Sequence, residues 1–222
     1  MSMMSPERQG LAEHRFQVML HGLKALNADD TRPSHFTNVL VGLGMELYHA
    51  FKELKSGIRE KILSRAALAA RNLLELRYWT IFAAASEENI WRIRKDALVD
   101  GRDMLDRFRT ACQNNAELAL ALPYLDQYQD WFEDQCRKSG ESSDGPYLRV
   151  ANLAQQFGLS DEHRTMNSFL SKLIHPTGLT ICMPGTSDVS FPQLYAAGCW
   201  YFNDGFQRLN ETLKELNLPS LE

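Results

Sequence analysis

The stretch "AALAARNLLELRYWTIFAAA", residues 66–85, is apolar around nearly its whole circumference when wound as a helix. Such a helix has no face to give to solvent, so it belongs at the centre of a fold with neighbours on most sides. Its alanines allow those neighbours to approach closely. Elsewhere in the chain apolar positions recur at helical spacing, and the alternation of β-branched residues that marks strands is scarce. The pattern predicts an all-α fold, a single-domain irregular helical bundle of about seven helices over residues 1–222.

Caps and breakers divide the chain. They predict helices over about 6–28, 35–54, 58–85, 87–114, 117–137, 148–157, 161–175 and 190–217. Ser34 and Ser160 stand where N-caps are expected, and Lys55–Ser56–Gly57 reads as a break. Ser86 followed by Glu87 and Glu88 places negative charge at the positive end of a helix dipole. Ser190, Pro192 and Gln193 make a helix start, and Pro219 forbids continuation. Residues 138–147, "KSGESSDGPY", and 176–189, with two prolines and two glycines, read as flexible loops.

A chain of 222 residues buries enough surface to fold without disulfide staples. Its four cysteines, Cys112, Cys136, Cys182 and Cys199, show no zinc or redox spacing and read as free thiols. A net charge of −4 gives no global attraction to nucleic acid or to an anionic membrane. The start, "MSMMSPERQG", lacks the apolar run of a signal peptide, and no stretch is long and apolar enough to span a bilayer. The expectation is a cytoplasmic protein with no membrane partner and no cofactor.

Polar residues on apolar helices carry the chemistry. Arg71 and Glu75 lie four apart in the central segment, on an arc shared with Tyr78 and Phe82. A buried charge needs a partner, so these two form either a register-setting ion pair or the lining of a site. Glu46 and His49 are the polar exceptions in "TNVLVGLGMELYHAF". Their Glu-x-x-His spacing is that of carboxylate-bridged dimetal bundles, though such sites use two copies and this chain has one. In "NSFLSKLIHPTG", residues 167–178, Ser171 and His175 end a polar stripe that starts at Arg164 and Ser168. Pro176 disfavours helix at His175, so the imidazole sits at the negative end of the helix dipole. A Ser-His pair on one helix lacks the oxyanion hole and orienting carboxylate of a hydrolase.

Other motifs are plainer. "WRIRKDALVDGRDMLDRFR", 91–109, carries both signs of charge and reads as a solvated face. "YAAGCWYFNDGF", 195–206, clusters aromatics for core packing or a dimer. Its Gly198 and Gly205 suggest close helix contacts, within the chain or with another subunit. There is no G-x-S-x-G elbow, phosphate loop or dinucleotide fingerprint.

"RNLLEL" with Arg71 and Glu75, and "SKLIHP" with Ser171 and His175, resemble paired R-x-x-x-E and S-x-x-x-H motifs in a broad group of uncharacterised bacterial helical proteins. The resemblance covers roughly residues 60–180. That group is similar in shape to HEPN-type helical domains, many of them dimeric ribonucleases, and the resemblance implies a role related to RNA or nucleotides. The ribonuclease motif sets an arginine shortly before its histidine; here the nearest upstream arginine, Arg164, is too far from His175.

Three readings follow. In the first, Arg71, Glu75, Ser171 and His175 build a polar interior site. His175 is its acid/base, Glu75 the orienting carboxylate or a ligand, Arg71 the anion contact, and Glu46 and His49 lie alongside. In the second, the same residues form a structural network in a non-enzymatic homodimer that pairs through the last helix. In the third, Glu46 and His49, with Glu75 and His175, bind a metal.

Overall fold

The computed structural model describes residues 5–115, 117–140, 147–175, 182 and 186–222. These contain eight α-helices, one short 3-10 helix and no strand, as the periodicity requires. The helices are α1 (Pro6–Asn27), α2 (Ser34–Arg59), α3 (Leu63–Ala85), α4 (Glu87–Asn114), α5 (Leu122–Ser139), α6 (Val150–Gln156), α7 (Ser160–Ile174) and α8 (Thr186–Glu215). The 3-10 turn is Leu118–Ala121. No helix among the described residues is long and apolar enough to cross a membrane. The expected loops at 138–147 and 176–189 fall largely on residues outside those described.

The chain folds as two compact units, one formed by residues 1–87 with 150–222 and the other by residues 88–149. In the first, α3 is the central helix. It packs against α8, α2, α7 and α6, while α1 lies against α2 and α8. Ala66, Ala67, Ala70, Leu73, Leu74, Tyr78 and Phe82 of α3 are all fully buried, but Leu68 and Asn72 on the opposite side are exposed, so this helix keeps one stripe in solvent that its apolar pattern did not predict. The last helix supplies Tyr201, Phe202, Phe206 and Leu213 to the same core, and Phe202 stacks on Phe51 at 4.4 Å between centroids.

Glycines mark where helices touch. Gly198 abuts Leu54, and a Cβ on Gly205 would lie 3.0 Å from Leu47, so both glycines seat α2 of the same chain against α8. Gly57 is not the expected break. The helix runs through it to Arg59, because a Cβ there would come within 2.7 Å of the Ala66 backbone nitrogen where α3 crosses. The stop comes at Lys61, which takes the left-handed conformation at φ 57. Its N–H donates to the Ile58 carbonyl at 3.2 Å, and the Ile62 N–H to the Gly57 carbonyl at 2.8 Å. That is a Schellman closure with lysine where glycine is usual.

The second unit is a hairpin. Phe132 of α5 seats on Gly101 of α4, and Arg109 of α4 pairs with Asp126 of α5 at 2.7 Å, so the helices run antiparallel. Leu98, Leu105 and Phe132 form its core, flanked by Leu125 and Cys136. Asp96 is buried at its side and accepts the Leu148 N–H at 2.5 Å.

Candidate functional site

The residues singled out in the sequence occupy three separate settings. Arg71 and Glu75 meet each other, Nε to Oε1 at 2.9 Å, with side chains about one-third exposed. They sit on the rim of α3, while Tyr78 and Phe82 of the same arc turn fully inward. Glu46 and His49 are both exposed on α2, where His49 packs edge-on against Tyr48 at 5.8 Å. Ser171 is half-buried and His175 exposed at the end of α7. The His175 backbone is extended, as a following proline requires, and its N–H donates to the Ser171 carbonyl at 3.3 Å. Arg164, at the head of the polar stripe, pairs with Asp161 in solvent at 2.7 Å. Among the described residues no three His, Cys, Asp or Glu side chains are grouped to hold a metal ion.

The polar centre of the first unit lies elsewhere, at Arg77. This residue is 6 % exposed in the middle of α3. Its Nε donates to Asp204 Oδ2 of α8 at 2.7 Å, and its Nη1 to both carboxylate oxygens of Glu162 of α7 at 2.9 Å. Asp204 also accepts from Arg208 Nε at 3.0 Å. The guanidinium lies 4.9 Å from the Trp200 ring centre, 5.8 Å from that of Tyr78 and 6.0 Å from that of Tyr201. Burial opposes the charge, but the hydrogen bonds to Asp204 and Glu162 outweigh it, and the Arg77 pKa is raised. One planar donor fork thus ties three helices at one level.

The surroundings of Arg77 are low in dielectric. Burial, then the charge of Glu162, pushes the Tyr78 and Tyr201 phenols well above their ordinary range. Neither hydroxyl finds a hydrogen-bond partner among the described residues. His163 packs edge-on to Tyr78 at 5.7 Å.

A second polar cluster ties α1, α2 and α8. Glu13 accepts from Lys55 and, at 2.6 Å, from the Tyr195 hydroxyl. Lys55 also lies over the Phe16 ring at 4.8 Å. Beside Tyr195, burial pushes the Cys199 thiol up to about 12, which keeps it protonated and unreactive. Arg15 makes a similar tie, donating to the Asn203 carbonyl at 3.0 Å.

Sequence reasoning passed over Arg77, Glu162 and Asp204 as a set. One signal was readable. On the α3 wheel Arg77 stands on the most apolar arc, with Ala66, Ala70, Leu73 and Ile81, whereas Arg71 and Glu75 lie roughly 120–160° away. The aromatics of the last helix are spent on the interior of this chain: Tyr201, Phe202 and Phe206 are fully buried. No family model, no curated protein and no solved structure matches the chain.

Proposed function

We propose that this chain is an interaction protein that associates with a second copy of itself, its interior polar groups acting as clamps that set helix register. The observation behind this reading is the state of Arg77. Its Nε and Nη1 are taken by carboxylates from two other helices, so the strongest charge inside the fold is committed to the fold. Arg71 is committed in the same way to Glu75. Most of the large apolar side chains left in solvent among the described residues lie in the second unit, where Met104, Phe108, Leu118, Leu120, Tyr124, Tyr128 and Trp131 are exposed, against Leu11, Ile62 and Leu68 in the first. An exposed apolar group of that size marks a contact surface.

The RNA- or nucleotide-related role implied by the HEPN resemblance has less to stand on. Arg71, the expected anion contact, already binds Glu75, the buried Arg77 binds Asp204 and Glu162, and residues 88–149 hold 12 acidic to nine basic side chains. A metal-binding role would need ligands beyond Glu46 and His49, which stand exposed on α2.

The distinguishing experiment uses the surface residues. Arg71→Ala, Ser171→Ala and His175→Ala should each leave self-association, followed by sedimentation velocity, where it was. Loss of association in any of them, with helicity intact, would place the R-x-x-x-E or S-x-x-x-H positions at the association surface and contradict their exclusion from it; a wild-type chain that does not associate would set the reading aside.

A further inference from the structure

Each helix of the hairpin carries an apolar arc roughly 120° wide, of which one half is covered and the other bare. On α4 the covered half is Leu98, Leu105 and Cys112, all buried, and the bare half is Ala97, Met104 and Phe108. On α5 the covered side chains are Leu125, Phe132 and Cys136, and the bare ones are Tyr124, Tyr128 and Trp131. Phe108 and Trp131 are each 54 % exposed and Tyr124 73 %. The bare halves lie on one side of the hairpin, because Gly101, Met104, Phe108 and Tyr128 line a single open groove of about 620 Å³. Tyr128 and Trp131 are in ring contact there, 5.3 Å between centroids.

A two-helix hairpin cannot cover two faces. Among the described residues the cluster between its two helices is small, Leu98, Leu105 and Phe132 with Leu125 and Cys136 beside it, a modest core for a unit of this size. The arrangement that covers such a face is a third and fourth helix, completing a four-helix bundle.

We propose that the occupant is the same hairpin of a second copy of the chain, related by a two-fold axis near Met104. This rests on the self-association reading above and names its surface. Isologous pairing needs one patch that carries both knob and hole. This face has both: Phe108 stands out of α4, and about two turns before it the groove is lined by the small residues Ala97 and Gly101, with Phe132 filling the side-chain space at Gly101 from the hairpin core. Antiparallel pairing about Met104 sets Phe108 of one copy into the groove beside Ala97 and Gly101 of the other. The charges agree. Asp100 and Asp103 lie on one side of Met104 and Arg107, which binds Asp103 at 2.6 Å, on the other, all on the groove wall, so the same two-fold sets this pair of each copy near Asp100 of its mate. A strongly acidic or basic partner would meet a like charge at one end of the strip.

The test uses the full chain. Phe108→Ser with Trp131→Ser should raise the dimer dissociation constant at least about 30-fold, the scale of aromatic hot-spot losses. Both side chains are exposed, so helicity by circular dichroism should not change. Met104→Cys places a thiol on the axis and should give a disulfide-linked dimer on mild oxidation, while Gln17→Cys on α1 should not. If the double variant stays dimeric and Met104→Cys does not cross-link, this face is not the interface, though self-association stands. A wild-type chain that is monomeric at all concentrations overturns both this proposal and the reading on which it rests.

Discussion

Arg77 and Glu162 are 85 residues apart in sequence and meet through one nitrogen and two oxygens, both contacts at 2.9 Å. Arg71 and Glu75, four apart, meet at the same 2.9 Å. Distance does not separate the two pairs, but burial does.

Arg77→Met should therefore cost about 3 kcal/mol, because it leaves Glu162 facing a low-dielectric interior without its cation and Asp204 with Arg208 alone. Arg77→Lys should recover part of the loss, since it restores charge but not the fork. Arg71→Ala should cost under about 0.5 kcal/mol, as one-third exposed pairs within a helix do. Urea denaturation of the three variants measures all of these, and equal losses at 71 and 77 would contradict the assignment of Arg77 as the clamp.

Lys61 holds a left-handed backbone that an L side chain resists. Lys61→Gly should stabilise the protein by about 0.5–1 kcal/mol, even after the added freedom of the unfolded chain is counted. A fall in the denaturation midpoint would show that the lysine side chain contributes something its backbone strain conceals.

Asp96 is a carboxyl whose pKa burial raises, with the Leu148 N–H pulling the other way. A raised folded pKa means the native state binds the proton more tightly than the unfolded chain. The favourable contribution is complete below the ordinary aspartate value of about 4 and is lost as pH rises through the folded value. Asp96→Asn keeps an oxygen to accept the Leu148 N–H and removes the charge. It should stabilise the protein at neutral pH, with the gain shrinking toward acid; a gain that is flat with pH would assign the effect to packing instead.

The thiols divide by exposure. Cys182 is exposed and Cys199 buried with its pKa pushed up to about 12. Under native conditions at mildly alkaline pH, iodoacetamide should label Cys182 promptly and Cys199 only after denaturant is added. Fast native labelling at Cys199, located by peptide mapping, would mean that α8 opens locally.

Much of the fold was legible, and the reason varies by element. The helix over 87–114 is read to its ends, because Glu87 and Glu88 mark its start and the asparagines its stop. The all-round apolarity of 66–85 places α3 at the centre. Gly57 was misleading because glycine serves close approach as often as termination, and here the turn falls to Lys61. The last helix begins at Thr186, before the expected Ser190, and carries Pro192 inside it. The clamp at Arg77 stayed hidden because its partners come from helices 85 and 127 residues further on, a pairing no periodicity encodes. Arg71 and Glu75 stood out because their spacing is local, and a locally satisfied pair is the kind that sits on a rim.

The most direct measurement is the molar mass of the untagged full-length chain by sedimentation equilibrium across the micromolar range. The account expects a concentration-dependent species of twice the 25.4 kDa chain mass. A single 25.4 kDa species throughout would contradict it.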